Sequence, residues 1–331
     1  MKKSVVIFSL CVVTGCALLS GCSKSKNTAT QSANSANSSA TAAAPAGPLD
    51  MKIKWAVGKK YSMKMEFNQS TKTDVPNQPQ PVTQEVKLDQ NYDISVLKEL
   101  DNGGRELELE FENETMDVLQ GGRSVMSFDS AQSSAEDTNN PAAPILRAMI
   151  GARIQYFTDA NGKVEKMEGV DELMNRIDAI GNPQQQANFK QMFSEDTLKR
   201  YCSFAEALPD HAVNIGDSWH LKKDVPSTIG VLAVDVKYTF KNWEQHDDRK
   251  CAHIEDTGEI SSKSVSAAMT GAVVEIEKGK TSGDFWFDPE LGMIVDVNTD
   301  QEMPMKITTR AQTMTSHLSQ KIRVTLVDVT P

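Results

Sequence analysis

The chain has 331 residues, with 35 Lys and Arg against 45 Asp and Glu, a net charge of −10, 39% hydrophobic and 6% aromatic residues, and five Cys. This composition excludes a chain disordered throughout and a multi-span membrane protein, and the acidic balance excludes nucleic-acid binding through a general basic field. Five Cys over this length are too sparse for a disulfide scaffold.

Met1-Lys2-Lys3 is a short basic start, and an apolar run from Val5 to Leu19 follows it. The run is too short for a permanent bilayer span and has the flank of a secretory signal. It ends in Leu19-Ser20-Gly21-Cys22, which resembles a bacterial lipobox. The resemblance implies cleavage between Gly21 and Cys22, lipidation of Cys22 and attachment to a membrane through that anchor. Val13-Thr14-Gly15-Cys16 is a second match, but it would leave an apolar Ala17-Leu18-Leu19 after cleavage. Ser23 stands where, in the enterobacterial pattern, an Asp retains a lipoprotein in the inner membrane. The resemblance therefore implies an outer-membrane address facing the periplasm. Residues 23–50 hold one Leu and no aromatic residue, too little apolar surface to offset the entropy of ordering. They read as a tether with a reach of roughly 30 Å.

From residue 51 onward strict alternation dominates. Tyr61, Met63, Met65 and Phe67 alternate with polar residues, as do Val86, Leu88, Tyr92, Ile94 and Val96, then Leu107, Leu109 and Phe111, then Leu232, Val234, Val236, Tyr238 and Phe240. Period-two alternation places one face on a core and the other in water, the pattern of antiparallel sheets. Such long runs favour a strongly twisted or curled sheet. Fourteen Met remain after Met1, adaptable side chains that suit either an ordinary core or an irregular apolar pocket.

Between the β regions the period changes. Val170, Leu173, Met174 and Ile177 have helical spacing and stop at Gly181-Asn182-Pro183. Leu198, Tyr201, Cys202, Ala205 and Leu208 predict a second helix ending at Pro209, and Ile145, Leu146, Met149 and Ile150 a shorter one. Two internal echoes raise the reading of a duplicated β unit. Val57-Gly58-Lys59-Lys60-Tyr61 parallels Ile215-Gly216-Asp217-Ser218-Trp219, and Phe157-Thr158-Asp159 through Gly162 parallels Phe287-Asp288-Pro289 through Gly292.

No motif in the sequence points to catalytic residues, metal ligands or a cofactor site. Gly216-Asp217-Ser218 resembles an esterase block, but Met314 stands where the Asp partnering the late His317 should be, and a Ser without a base is a weak nucleophile. Gly279-Lys280-Thr281 lacks the first Gly of a phosphate loop. His211, His220, His246, His253 and His317 show no paired metal spacing, and His246-Asp247-Asp248 and Asp210-His211 read as solvated polar turns, with surface metal fragments as the alternative. Glu106, Glu108, Glu110, Glu112 and Glu114 are expected along one strand face, meeting water or cross-strand Lys. Cys202 and Cys251 either form a disulfide worth on the order of 4 kcal/mol or are two buried free thiols.

Ser127-Phe128-Asp129-Ser130, Gly162-Lys163-Val164 through Gly169-Val170-Asp171-Glu172, and Leu208-Pro209 through Val213-Asn214-Ile215-Gly216-Asp217-Ser218-Trp219 resemble a family of uncharacterised bacterial envelope lipoproteins, a domain of unknown function. That resemblance implies no activity. The expected organisation is a signal peptide over 1–21, a lipidated Cys and tether over 22–50, a first β region over 51–141, a helical insert with a β-hairpin over 142–208, and a second β region over 209–331. The expected fold is β-rich α+β: long antiparallel sheet with a helical insert. The expected role is a non-enzymatic binding or structural module of the envelope, engaging an envelope protein or a hydrophobic ligand. The alternatives are a carrier of such a ligand and a hydrolase whose site assembles only in three dimensions.

Overall fold

The computed structural model describes residues 47–331 apart from 77, 135–139, 141, 181–194, 228 and 266–271. Gly21, Cys22 and most of the tether therefore lie outside the described residues. The alternating runs form strands β1 (Lys60–Asp74), β2 (Val82–Glu99), β3 (Arg105–Gln120), β4 (Arg123–Asp129), β5 (Arg153–Thr158), β6 (Val164–Glu168), β7 (Ser218–Ser227), β8 (Gly230–His246), β9 (Arg249–Val265), β10 (Val273–Ile276), β11 (Gly279–Asp288), β12 (Met293–Thr308) and β13 (Thr313–Thr330). Helices α1 (Ala143–Met149), α2 (Val170–Asp178) and α3 (Glu195–Lys199) lie between β4 and β7. The fold is β-rich, as the alternation predicts.

All strands belong to one antiparallel sheet in the order β6-β5-β3-β2-β1-β13-β12-β11-β9-β8-β7, with β4 beside β3 and β10 beside β12. The two halves repeat one topology: β6-β5-β3-β2-β1 on one side of β13 and β12-β11-β9-β8-β7 on the other. Local contacts repeat with it. The Gly58 amide donates to Val96 O and the Val96 amide to Lys59 O, while Gly216 donates to Phe240 O and Phe240 to Asp217 O. Just past Val96 and Phe240 each half carries a register shift. The Gly58 and Gly216 echo thus occupies equivalent places in the sheet, whereas in the second echo the register aligns Phe157 with Trp286, one residue before Phe287.

The segment 49–56 straps the halves together. Leu49 pairs with Val213, and the Lys54 amide donates to Gly292 O at 2.8 Å. A Cβ on Gly162 would lie 3.2 Å from Ile53 Cβ. The turns at Gly162 and Gly292 both have φ near +70 to +80 (80 and 67), which glycine adopts without steric cost. They end hairpins six strand steps apart, roughly 29 Å across a flat sheet at about 4.8 Å per step, yet they contact adjacent residues of one strap. The sheet is therefore bent but not closed, since β6 and β7 remain its two ends.

The inner side of that bend holds the core. Tyr61, Met63, Ile94, Leu107, Leu109 and Phe111 from the first half join Leu232, Tyr238, Phe240, Ile254, Phe285 and Phe287 from the second in one cluster. Residues 195–207 are pinned against both halves: Tyr156 OH donates to Leu198 O at 2.8 Å and Trp219 Nε1 to Ala207 O at 2.9 Å. The helix expected over Leu198–Leu208 is instead α3 followed by two short 3-10 turns, Arg200–Cys202 and Phe204–Ala207. This tighter winding points Tyr156 and Trp219 at backbone carbonyls that a continuous helix would keep in its own ladder. α2 follows its helical spacing and buries Leu173 and Ile177.

One open alternative resolves and one expectation changes. Cys202 and Cys251 form no disulfide; both thiols are free and buried, one in a 3-10 turn and one in β9. Desolvation pushes both thiols up, Cys251 to about 12, which leaves them unreactive. The Glu row is also broken. Glu106 pairs with Lys98, and Glu108 and Glu110 with Arg153, but a register shift places Tyr92 opposite Phe111 and Asn91 opposite Asn113. The extra residue turns Glu114 onto the inner face, where it is buried.

Candidate functional site

Each face of the sheet carries a polar cluster. On the inner face, directly opposed residues of antiparallel strands point the same way. The register therefore puts Gln69 of β1, Gln320 of β13, Gln301 of β12 and Thr281 of β11 in one row across four neighbouring strands. All four are buried. One pair further along lies Asp256 of β9, opposite Gly283 of β11, which in turn faces Thr299 of β12. Asp256 is 3% exposed.

Gln69 Oε1, Gln301 Oε1 and both carboxyl oxygens of Asp256 have no hydrogen-bond partner in the structure. A buried polar atom without a partner costs roughly 1–3 kcal/mol, so native folds rarely keep several together. Burial, and then the charge of Asp284, pushes the Asp256 carboxyl up to about 9. At neutral pH it is protonated and can donate as well as accept. Phe67 and Ile322, an opposed pair, flank the row on one side, and Leu318 and Met303 on the other. The belt is a polar, uncharged stripe within an apolar wall.

A second inner polar group serves the fold. Gln90 Nε2 donates to Glu114 Oε2 at 2.8 Å, and Tyr201 OH donates to Gln90 Oε1 at 2.9 Å. This chain ties the 3-10 turn to β2 and β3. Desolvation raises Glu114 to about 7, partly offset by the Gln90 bond.

On the outer face His246, Trp286 and His253 form a stack. The ring centroids of His246 and Trp286 are 4.2 Å apart at 13°, and those of His253 and Trp286 are 5.1 Å apart at 5°. His253 meets Asp284 at 2.7 Å and Asn242 at 3.2 Å, and Trp286 Nε1 donates to Glu244. Desolvation opposes charge on His253, but the bond to Asp284 and the charges of Glu244, Asp284 and Glu255 together raise its pKa. His246 Nε2 lies 3.1 Å from Asp296 Oδ2 and 3.7 Å from Asp247 Oδ2. Arg323 donates to both oxygens of Asp296, and Thr325 Oγ1 to Oδ1.

The other sequence candidates sit apart from these clusters. Gly216-Asp217 forms the turn entering β7, with Ser218 Oγ 3.0 Å from Thr239 Oγ1. Gly279 and Lys280 begin strand β11. His246-Asp247 is a tight turn as expected, but Asp296, fifty residues later, joins it only through the sheet. No spacing pattern signals Asp256, Gln69 or Gln301, because their meaning lies in register; a lone Asp in an alternating apolar position of β9 is the one visible hint.

Residues 102–294 match the model of a family of unknown function, DUF6263. The match covers more than half of the chain, and the chain belongs to this family. No curated protein matches it. Among solved structures, the chain is similar to lipovitellin, in a structure describing lipid–protein interactions, at 7% identity and TM-score 0.48, covering 84% of this chain and 26% of that one. The chain thus spans about a quarter of the lipovitellin chain. It is also similar to a Bacteroides fragilis protein with a YmcC-like fold (8% identity, TM-score 0.23, 85% and 99% covered) and to a DUF1329 family protein from Desulfovibrio piger (9%, 0.10, 80% and 84%). At these scores none of the three carries an argument about function.

Proposed function

We propose that this chain is a lipid-anchored protein of the bacterial envelope that works by binding rather than by catalysis, and that the inner face of its sheet holds a neutral amphipathic ligand. The observation that carries the ligand is the belt of Gln69, Gln301 and protonated Asp256, whose buried polar atoms lack partners within an apolar wall. Open acceptors on Gln69 and Gln301 suit hydroxyl or amide N–H groups. The apolar residues on either side suit hydrocarbon. A charged head group is disfavoured because the belt offers no opposite charge. The lipobox-like Leu19-Ser20-Gly21-Cys22 supports the anchor, with two or more acyl chains needed for stable attachment.

The binding reading also draws on the partners of the imidazoles. Each of the five His lies against a carboxylate: Asp210, Asp235, Asp296, Asp284 or Glu302. Among the described residues these rings meet acids rather than a hydroxyl or thiol nucleophile. Native mass spectrometry of a chain starting at residue 47, which retains every described element, tests the ligand. The expected result is an added mass, released by organic extraction and identified as a neutral amphiphile. A clean apo mass after gentle purification, with unchanged thermal stability on adding monoacylglycerol, overturns it.

A further inference from the structure

The outer cluster contains a second site, independent of the inner belt. We propose that His246 Nε2, Asp247 Oδ2 and Asp296 Oδ2 form a binding site for a divalent transition cation of the zinc class, with Trp286 as its floor and Arg323 as the group that orients Asp296.

The three side chains come from the end of β8, the β8–β9 turn and β12, and their ligand atoms all lie within 4.8 Å of one another. Zinc bonds to imidazole N and carboxylate O are about 2.0–2.2 Å, so ligand atoms around a tetrahedral ion stand about 3.4 Å apart. The His246 distances of 3.1 and 3.7 Å bracket that value. One imidazole with two carboxylates selects an ion of borderline softness over calcium or magnesium, which favour oxygen alone. Three protein ligands leave a fourth position facing solvent, beside the exposed Asp247.

Two of the ligands are held before any ion arrives. His246 is pressed flat on Trp286. Asp296 is 1% exposed and fixed by Arg323 and Thr325, the kind of outer support that tunes metal ligands. Arg323 retains its Nε bond to Asp296 Oδ1 when Oδ2 turns to a cation, and the nearby charges of Glu66 and Asp247 offset its own. Among the described residues the first half of the repeat has no such cluster: by strand register Phe157 stands where Trp286 does, with Lys166 over its ring at 5.2 Å. The shared fold therefore does not require it.

The test is calorimetric titration of the full chain, in mild detergent, with Zn²⁺, and emission quenching with Ni²⁺ in parallel. The expected result is one saturable site whose Ni²⁺ quenching is lost in Trp286→Phe. His246→Phe keeps a ring on Trp286 but removes the nitrogen. Asp247→Asn alters only an exposed turn whose left-handed backbone suits Asn. Each should weaken Zn²⁺ at least tenfold, while Asp210→Asn, at the exposed His211 pair, should leave the affinity unchanged. No saturable binding, or wild-type affinity in Asp247→Asn, overturns the site. If His246→Phe fails to fold, Asp247→Asn still decides.

Discussion

The two halves of the sheet share a strand order, a glycine turn before their first strand and an Asp-initiated turn between their last two, yet they treat a buried carboxyl in opposite ways. In the first half Glu114 of β3 has Gln90 as a partner, with Tyr201 behind it, and its pKa is raised to about 7. In the second half Asp256 of β9 has no partner and is raised to about 9. One carboxyl is built into the packing of the helical insert. The other is buried on the inner face without a hydrogen-bond partner. The same topology therefore supports a structural polar group in one copy and an open one in the other.

The largest expected effect separates the hairpins that open β3 and β9. A Cβ on Gly104 would lie 1.8 Å from Thr158 O, a backbone clash that the sheet can relieve only by moving β5. Gly104→Ala should cost about 3 kcal/mol in urea unfolding. The matching turn, Asp247 and Asp248, carries φ values of 43 and 64 without glycine, and Asp248→Gly should change stability by only a few tenths of a kcal/mol. Equal losses at the two turns would deny the asymmetry.

The buried carboxyls come next. A folded-state pKa above the unfolded value means that the native state holds more protons, so stability falls as pH rises between the two values. For Asp256 that window runs from about 3.9 to about 9, and for Glu114 from about 4.3 to about 7. Asp256→Asn should therefore stabilise the protein at pH 8 by a few kcal/mol, on the order expected for an unpaired buried carboxyl, and much less at pH 4. Glu114→Gln should remove a smaller slope confined to pH 4–7. Denaturation midpoints across pH 4–9 for both variants measure this, and a flat Asp256→Asn difference would sink the assignment of a buried, protonated Asp256.

Smaller still is the cost of loosening the strap. Gly292→Ala meets Lys54 Cβ at 2.6 Å and Gly162→Ala meets Ile53 Cβ at 3.2 Å, both at positive φ. About 1–2 kcal/mol is expected for each, greater at Gly292, by thermal melting. Last, Arg153→Ala removes two surface ion pairs to Glu108 and Glu110 and should lower the melting midpoint only slightly, with the loss shrinking in high salt.

Much of this architecture was legible from residue order. Period-two runs located the long strands, helical spacing located α1 and α2, and the two echoes marked equivalent turns of the repeat. The breaks were not legible. The shift beside Phe111 depends on how β2 meets β3, so an unbroken Glu alternation concealed Glu114. Leu198 to Leu208 has helical spacing, but the carbonyls of Leu198 and Ala207 are claimed by Tyr156 and Trp219. Two buried cysteines in an exported-looking chain invited a bridge, and whether they meet is a matter of fold alone.

The sequence by itself determined the material: an acidic body of long alternating strands and membership in a family of unknown function. These follow from local properties, since hydrophobic period, chain entropy and charge are summed along the chain. The tertiary structure alone decided which distant residues share a site. Gln69 and Gln301 are 232 positions apart yet separated by one strand, and His246 meets Asp296 across a turn and a sheet. Strand register and the bend imposed by the 49–56 strap create those neighbours, and neither is written in any short run of residues.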